Sequence, residues 1–324
     1  MTTSPIEKSA TAKVSVKARF RSSRLFHAPA QIDEFLFEPI PSSGENTEGI
    51  LRHEFFHRTG NVPELDKLTV NSIGQTESQM WLAFLSLIAA SNVTFQGALI
   101  NDEDSGSQRL KYSFAQQPPI DFGLVQQYYE RLAQIQGRNR LRFINSARSY
   151  QSAVSQMDSN PTVSYFLFVV AIECLSNFVI DAGGNRQKFI RFIDKYLDSS
   201  LSAEKSDQAK FEQRLDAAYR IRNAFVHRGQ SIPNAVAIAD RASVPSAIYY
   251  DRGIRRRAPG LIWLQKIVRA TLLGFLSTIT QEHPSKPRKP VFRSLAKRAN
   301  IIRLQAAAPI QKGEPITLDK LVLD

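Results

Sequence analysis

The sequence predicts an α+β fold, in which a mixed α/β N-terminal part is followed by an all-α helical part. Before residue 118, short alternating segments accompany one compact apolar run. After Pro118 and Pro119, every segment up to about residue 280 has helical periodicity with a recognisable start or end. A chain of 324 residues is also long enough for two domains. We therefore predict an N-terminal domain of unknown role over residues 1–117, a helical domain over 120–282 and a C-terminal tail over 283–324.

The N-terminal part contains several candidate strands and one candidate helix. Residues 13–21 alternate apolar and polar side chains, as a half-buried strand does, and residues 34–39 form a second extended segment. The apolar run 81–90 predicts a buried helix. Residues 93–100 and 110–114 predict a pair of strands around a polar loop.

The helical part contains a series of candidate helices with apolar faces. Asp121 has the side chain of a helix N-cap, and Gly229 is placed to end a later helix. Apolar positions recur at helical spacing within segments 124–135, 141–154, 161–180, 189–197, 211–225 and 261–280. Segment 161–180 is apolar nearly all round, which predicts a helix buried inside a bundle. Residues 230–258 form a long irregular insertion.

The composition favours a globular protein of a reducing compartment. Its 43% hydrophobic and 22% charged residues are ordinary for a folded soluble chain. Cys174 is the one cysteine and cannot form an internal disulfide, and the N-terminus lacks the apolar core of a secretory signal. The longest apolar run, 165–180, contains Glu173 and is shorter than the roughly 20 residues of a membrane span. We expect a cytoplasmic protein without a transmembrane helix or a membrane partner.

The basic charge of the chain favours a polyanionic partner such as RNA. The formal charge is +12, from 42 Lys and Arg against 30 Asp and Glu. Arg255, Arg256 and Arg257 are clustered in the insertion. The start of the tail is basic and proline-rich, predicts no core of its own, and offers Phe292 for stacking on bases. The alternative for both segments is a solvated run of charge.

An R-N-x-x-x-H motif lies in the last turns of the predicted helix that ends at Gly229. It consists of Arg222, Asn223 and His227, with Tyr219 one turn before Asn223. The spacing alone is weakly informative, because a basic chain with five histidines contains such spacings by chance. Its position at the end of an amphipathic helix is the informative feature.

With this motif the chain resembles the HEPN superfamily, and within it the Apea-like HEPN domains, over roughly residues 138–282. In those domains a helical bundle presents an R-x(4-6)-H motif near a helix end. Their buried helix often shows an A-hydrophobic-E-x-L stretch, which is A-I-E-C-L around Glu173 here. The insertion 230–258 is longer than expected for such a domain.

The resemblance implies a metal-independent endoribonuclease of the toxin or phage-defence type, which acts as a homodimer and needs no cofactor. His227 would move the proton as general base or acid when the ribose 2′-OH attacks the adjacent phosphate. Arg222 would stabilise the phosphorane charge and Asn223 would orient the phosphate or the histidine. Arg228 and the three arginines of the insertion would bind nucleic acid, and a partner or antitoxin protein could restrain the activity.

The alternative is a non-catalytic interaction or sensor module, in which the same residues cap the helix and pair with a buried carboxylate. Glu173 is costly in an apolar helix unless it is paired, and Arg222 is its expected partner. Asn177, four residues on, would extend a polar stripe from Glu173. Arg222 and His227 are about 140° apart around an ideal helix. They act together only with a loosened helix end, a long arginine reach or a second copy of the chain.

A different motif, H-E-x-x-H, is formed by His53, Glu54 and His57. On a helix the two histidines would share a face and bind zinc, with Glu54 as general base of a metalloprotease. The third ligand of one such class would fall at Pro63, which cannot coordinate, and a glutamate ligand would have to be Glu77. We therefore expect no metal, and interpret the segment as a half-buried strand or helical turn with its histidines facing solvent.

Overall fold

The computed structural model describes residues 11–22, 28–40, 48–58, 63–100, 103–104, 119–135, 137–157, 159–229, 246–251, 254–282, 291–293 and 295–297. Its strands are β1 (Thr11–Ser22), β2 (Ala30–Ile32), β3 (Phe35–Pro39), β4 (Glu48–Arg58), β5 (Val93–Ile100), β6 (Glu103–Asp104), β7 (Ser246–Asp251) and β8 (Ile254–Pro259). Its helices are α1 (Pro63–Ala89), α2 (Phe122–Gln134), α3 (Gly137–Gln156), α4 (Pro161–Val179), α5 (Asn185–Tyr196), the 3-10 helix Ser199–Lys205, α6 (Gln208–Arg228) and α7 (Leu261–Glu282). The fold is α+β, as predicted.

The N-terminal part is a six-stranded antiparallel sheet with the order β2-β3-β4-β1-β5-β6. Strand β1 lies between β4 and β5. Its apolar positions Val14, Val16, Ala18 and Phe20 are buried, which confirms the alternation seen in the sequence. Helix α1 packs against β1 and β5 and so covers one face of the sheet.

Helix α1 is longer than the predicted segment 81–90, because it begins at Pro63. Proline is favoured in the first turn of a helix, where its missing N–H has no intrahelical role. The polar residues Glu77 and Ser78 in its middle are fully buried. Polar residues on the buried face interrupt the apolar periodicity from which a helix is predicted. The predicted strand 93–100 is confirmed as β5, and residues 110–114 lie outside the described residues.

The predicted helices after residue 120 are present as α2 to α7. Asp121 caps α2 by accepting a hydrogen bond from the backbone N of Leu124, at 3.1 Å. Gly229 ends α6 with φ of 63°, the left-handed conformation that glycine adopts without strain. The prediction that the insertion is irregular was wrong for residues 246–251 and 254–258, where strands β7 and β8 pair antiparallel.

The prediction that Phe292 in the C-terminal tail is available for stacking on bases was wrong. Residues 291–293 and 295–297 are helical, and Phe292 is fully buried. Its ring centroid lies 4.6 Å from that of Trp81 and 6.0 Å from that of Tyr129. Phe292 is therefore a core residue, not a free aromatic side chain for stacking on bases.

The sheet and the helical part are joined through α1. It packs against α2, α3 and α7 as well as the sheet. The guanidinium of Arg269 in α7 donates to the backbone oxygens of Leu87 and Ile88 in the last turn of α1. Carbonyls in the last turn of a helix lack the N–H of the next turn as a partner, so Arg269 caps α1 from the helical part.

Among the described residues, helices Pro161–Val179 and Leu261–Gln281 are long and apolar enough to cross a membrane. In each, 56% of the apolar window is buried inside the protein. Core helices of soluble proteins have the same character, so these helices are weak evidence for a membrane span and are compatible with a soluble protein.

Gly274 marks a close approach between α7 and the end of α5. A Cβ atom at this position would lie 2.0 Å from the backbone oxygen of Tyr196. Because a backbone atom cannot rotate away, the two helices would have to separate. We expect Gly274→Ala to lower the free energy of unfolding by about 1–3 kcal/mol, measured by urea denaturation. Increased stability, the usual result of Gly→Ala inside a helix, would contradict this close packing.

Candidate functional site

A buried charged network links α4 to α6. Glu173 in α4 is 8% exposed, and its Oε2 accepts a hydrogen bond from Arg222 Nη2 at 2.8 Å. Its Oε1 accepts a hydrogen bond from Tyr219 Oη at 2.9 Å. The predicted pairing of Glu173 with Arg222 is confirmed. Both carboxylate oxygens thus have a donor, which offsets the cost of burying the charge.

Tyr219 remains a hydrogen-bond donor across the physiological pH range. Burial and the neighbouring Glu173 carboxylate, opposed by the smaller effect of Arg222, raise the pKa of its hydroxyl to about 12. A phenol in this environment keeps its proton at neutral pH. Tyr219 therefore donates to the Glu173 carboxylate as a neutral group, whereas Arg222 donates to it as a charged group.

Arg222 is also linked to the second residue of the motif. Its Nη1 donates to Asn223 Oδ1 at 3.1 Å, and its guanidinium lies 5.8 Å from the ring centroids of both Phe166 and Tyr219. The Arg222 Nε is buried and has no hydrogen-bond partner among the described residues. The structure thus brings Arg222, Asn223, Glu173 and Tyr219 into one network, in which the arginine is held by several contacts.

His227 lies apart from this network, at the exposed end of α6. Val226, His227 and Arg228 are exposed, and α6 runs without a break to Arg228 before the Gly229 cap. A loosened helix end is therefore not present in this structure. Arg222 and His227 remain on different sides of one regular helix, about 140° apart by helical position.

No hydrogen bond among the described residues joins the side-chain oxygen of Asn177 to this network. Its side-chain Oδ1 is buried and has no hydrogen-bond partner in the part of the chain that the structure describes. Its backbone oxygen accepts from Lys188 Nζ at 3.4 Å. The expected polar stripe on α4 is thus confined to Glu173.

The basic residues predicted to bind nucleic acid lie in α6 or in the strand packed against it. Arg228 is in the last turn of α6, and the β8 strand that contains Arg255, Arg256 and Arg257 packs against α6. The structure therefore places strand β8 of the insertion beside the helix that carries the motif.

The H-E-x-x-H segment lies in strand β4 and not in a helix. Successive residues of a strand point to opposite faces, so His53 and Glu54 lie on different sides of the sheet. His53 is 2% exposed, so the expectation that it faces solvent was wrong. No group of three or more His, Cys, Asp or Glu residues suited to a metal ion occurs among the described residues, and the zinc-protease arrangement is absent from them.

His53 instead belongs to a buried polar cluster that the sequence did not reveal. Its Nε2 lies 3.3 Å from Ser78 Oγ, and its Nδ1 lies 3.4 Å from Glu77 Oε2. Arg293, from the C-terminal helical segment, donates from Nε to Glu77 Oε2 at 3.4 Å and from Nη1 to Glu34 Oε2 at 3.1 Å. One arginine from the end of the chain thus bridges carboxylates of α1 and of the turn between β2 and β3.

Burial keeps His53 and Glu77 uncharged near neutral pH. Together with the smaller effect of the Arg293 charge, it lowers the pKa of His53 to about 3. It raises the pKa of Glu77 to about 8, since desolvation and the charge of Glu34 outweigh the opposing charges of Arg293 and Lys297. Arg293 also pairs with Glu34, at 2.6 Å.

These shifts predict how the stability of the protein changes with pH. Between pH 6.5 and about 8, Glu77 binds a proton in the folded chain but not in the unfolded chain, so stability falls as pH rises. The loss reaches about 2 kcal/mol. Below pH 6.5 the buried neutral His53 has the opposite effect and offsets it. We expect the urea midpoint of the wild type to be lower at about pH 8 than at pH 6.5, and the midpoint of Glu77→Gln to change less between these two pH values. An equal fall in both proteins would contradict the role of Glu77.

The described residues define an α+β protein whose helical part presents a buried Glu173–Tyr219–Arg222 network and an exposed histidine on the same helix. Comparison of the chain with protein-family models, with curated proteins and with solved structures gives no match.

Proposed function

We propose that this protein is a metal-independent endoribonuclease with a HEPN-like helical bundle, acting on RNA as a homodimer in the cytoplasm. The observation that carries the proposal is the arrangement on α6. His227 is exposed at its regular C-terminal end, and Arg222 and Asn223 are held in place one turn earlier by Glu173 and Tyr219. The charge of +12 supports a polyanionic substrate.

The chemistry is transfer of the phosphate within the RNA strand. The ribose 2′-oxygen attacks the adjacent phosphorus and the bond to the 5′-oxygen of the next nucleotide breaks. His227 takes the proton from the 2′-OH, or supplies one to the leaving oxygen. Arg222 and Asn223 bind the phosphate, where the planar donor fork of arginine suits the developing charge. Glu173 and Tyr219 position Arg222.

The geometry of α6 supports the proposed dimer. Arg222 is directed toward Glu173 inside the bundle, whereas His227 is exposed, so one copy of the helix separates the two groups. Two copies related by a two-fold axis can place His227 of one beside Arg222 of the other. An activity of this kind damages its own cell, and the proposal therefore includes a restraining partner or antitoxin protein of the kind found in toxin and phage-defence systems.

The proposal is tested by incubating purified protein with mixed RNA in EDTA. We expect cleavage by the wild type, with cyclic phosphate and 5′-hydroxyl ends, and a rate at least about 100-fold lower for His227→Ala, since a general acid or base contributes this much or more. Lys210→Ala removes an exposed cation from the other end of the same helix and should cleave normally. Equal cleavage by wild type and His227→Ala would refute the proposal.

A non-catalytic interaction module is the second candidate, and one observation favours it. Two nitrogens of Arg222 are occupied by Glu173 and Asn223, as expected for a residue that holds the bundle together. This candidate is supported if Arg222→Ala unfolds the protein while His227→Ala changes neither stability nor RNA cleavage.

A further inference from the structure

Three polar atoms in the buried cluster around Glu77 have no hydrogen-bond partner among the described residues. They are Nδ1 of His53, Oε1 of Glu77 and Nε1 of Trp81. His53 is 2% exposed, and Glu77 and Trp81 are fully buried. Nearly all buried polar groups of folded proteins are hydrogen-bonded, either to the protein or to an enclosed water molecule. A partner from the solvent is therefore the one to consider for these atoms.

The three residues are neighbours in space. Glu77 and Trp81 are four residues apart on α1, so they lie on the same face of this helix. The ring centroid of Phe35 in β3 lies 4.9 Å from that of His53 and 4.8 Å from that of Trp81. His53 Nδ1 lies 3.4 Å from Glu77 Oε2. The side chains thus line one region between α1 and strands β3 and β4.

The C-terminal helical segment lies over this region. The ring centroid of Phe292 is 4.6 Å from that of Trp81, and the next residue, Arg293, donates to Glu77 Oε2 at 3.4 Å. Phe292 is fully buried, and the side chain of Arg293 is 12% exposed. A molecule bound to His53, Glu77 and Trp81 is therefore enclosed by the protein and has to be small.

The hydrogen bonds around His53 make its Nδ1 an acceptor. Ser78 donates its one hydroxyl proton to the backbone oxygen of Gly74, at 2.9 Å. Its Oγ therefore accepts from His53 Nε2 at 3.3 Å, and the neutral ring has its proton on Nε2. Nδ1 then carries a lone pair. Because Glu77 Oε2 already accepts from Arg293, two acceptors face each other at 3.4 Å and need a donor that is shared or placed beside them.

Trp81 and Glu77 provide the matching donors. The indole Nε1 of tryptophan donates a hydrogen bond and cannot accept one. Burial raises the pKa of Glu77 to about 8, so its carboxyl group holds a proton at neutral pH, and this proton lies on Oε1 because Oε2 accepts from Arg293. Two donors and one acceptor thus require a molecule with two lone pairs and at least one hydrogen. Water has this set, and it also fits an ionised Glu77, to which it donates.

We infer that His53, Glu77 and Trp81 form an internal binding site for an ordered water molecule, enclosed between α1, the sheet and the C-terminal helical segment. The water accepts from Trp81 Nε1, donates to His53 Nδ1 and bonds to Glu77 Oε1. It completes the polar contacts between α1 and β4 that Ser78 and His53 begin. The inference is independent of the proposed RNA cleavage.

A crystal structure of the full-length protein, at a resolution that shows ordered water, tests the site directly. We expect electron density for a water molecule within hydrogen-bond distance of both Trp81 Nε1 and His53 Nδ1. Clear density for the three side chains with no water between them would overturn the inference. A side chain of the protein in the same position would overturn it as well.

Trp263 provides the control in solution, because the chain has two tryptophans and both are buried. Its Nε1 donates to Glu204 Oε2 at 2.8 Å and so has a partner in the protein. In a ¹⁵N-labelled sample we expect a nuclear Overhauser effect between a long-lived water and the indole proton of Trp81, and none for Trp263. The two signals are assigned with Trp263→Phe. Equal effects at both indoles, or none at Trp81, would contradict the site.

Two substitutions of Glu77 separate binding of the water from burial alone. The amide N–H of Glu77→Gln replaces the carboxyl O–H, so the effect at Trp81 should remain. Glu77→Met has a similar length without a donor or a strong acceptor, and the effect should be lost. If the effect persists unchanged in Glu77→Met, Glu77 does not bind the water and the proposed site is wrong. Should Glu77→Met fail to fold, loss of the effect in Glu77→Gln refutes the site equally.

Discussion

Phe292→Ala is expected to lower the free energy of unfolding by about 3–5 kcal/mol, the usual cost of removing a buried aromatic ring. Phe292 is fully buried against Trp81, Phe84 and Tyr129, although it lies in a basic segment near the end of the chain. The cavity left behind would lie between α1, α2 and the C-terminal helical segment. Urea denaturation at neutral pH measures the loss.

Phe56 provides the matched control, because it is the same residue type and is 66% exposed on β4. Phe56→Ala should change the stability by no more than about 0.5 kcal/mol, as substitutions on an exposed surface usually do. If Phe292→Ala is as mild as Phe56→Ala, the C-terminal helical segment does not pack in the core.

Arg222→Ala is expected to be comparably destabilising, by about 3–5 kcal/mol, since it leaves the Glu173 carboxylate in the bundle with Tyr219 as its remaining donor. The reason is the loss of the compensating charge rather than of one hydrogen bond. Replacing both Glu173 and Arg222 by methionine should recover most of the loss, because no unpaired charge is then buried. Thermal and urea unfolding of the two variants measure these effects.

Arg220 is the control for this experiment. It lies on the same helix and pairs with Asp216 at 2.8 Å, but its side chain is 51% exposed. Arg220→Ala should cost less than about 1 kcal/mol, as exposed ion pairs do. Similar losses for Arg220→Ala and Arg222→Ala would mean that the network around Glu173 contributes no more than a surface pair.

The helices of the helical part were predictable because the apolar residues of each lie on one face or, in α4, nearly all round the helix. The same periodicity failed for the part of α1 before residue 81, because the polar residues Glu77 and Ser78 in the middle of the helix are buried against the sheet and the C-terminal segment. The hairpin was missed because arginines replace the alternating apolar residues of an ordinary strand in β8. The burial of Phe292 was not predictable, since a single aromatic residue among prolines and lysines shows no helical or strand periodicity.

The two polar clusters differ in how far the sequence revealed them. A carboxylate in the apolar α4 requires a cation, and Arg222 was identifiable as a candidate in the motif helix. The cluster of His53, Glu77 and Arg293 was hidden because its members come from three distant segments, and each looks like an ordinary surface residue by itself.

The position of Arg293 in the chain has a consequence for how the protein is made. Arg293 contacts Glu34 across 259 residues and Glu77 across 216 residues. Domains usually begin to fold from the N-terminus during synthesis, but α1 here contacts a residue that is synthesised more than 200 positions later. The packing around Trp81 is therefore completed only after Phe292 has been synthesised.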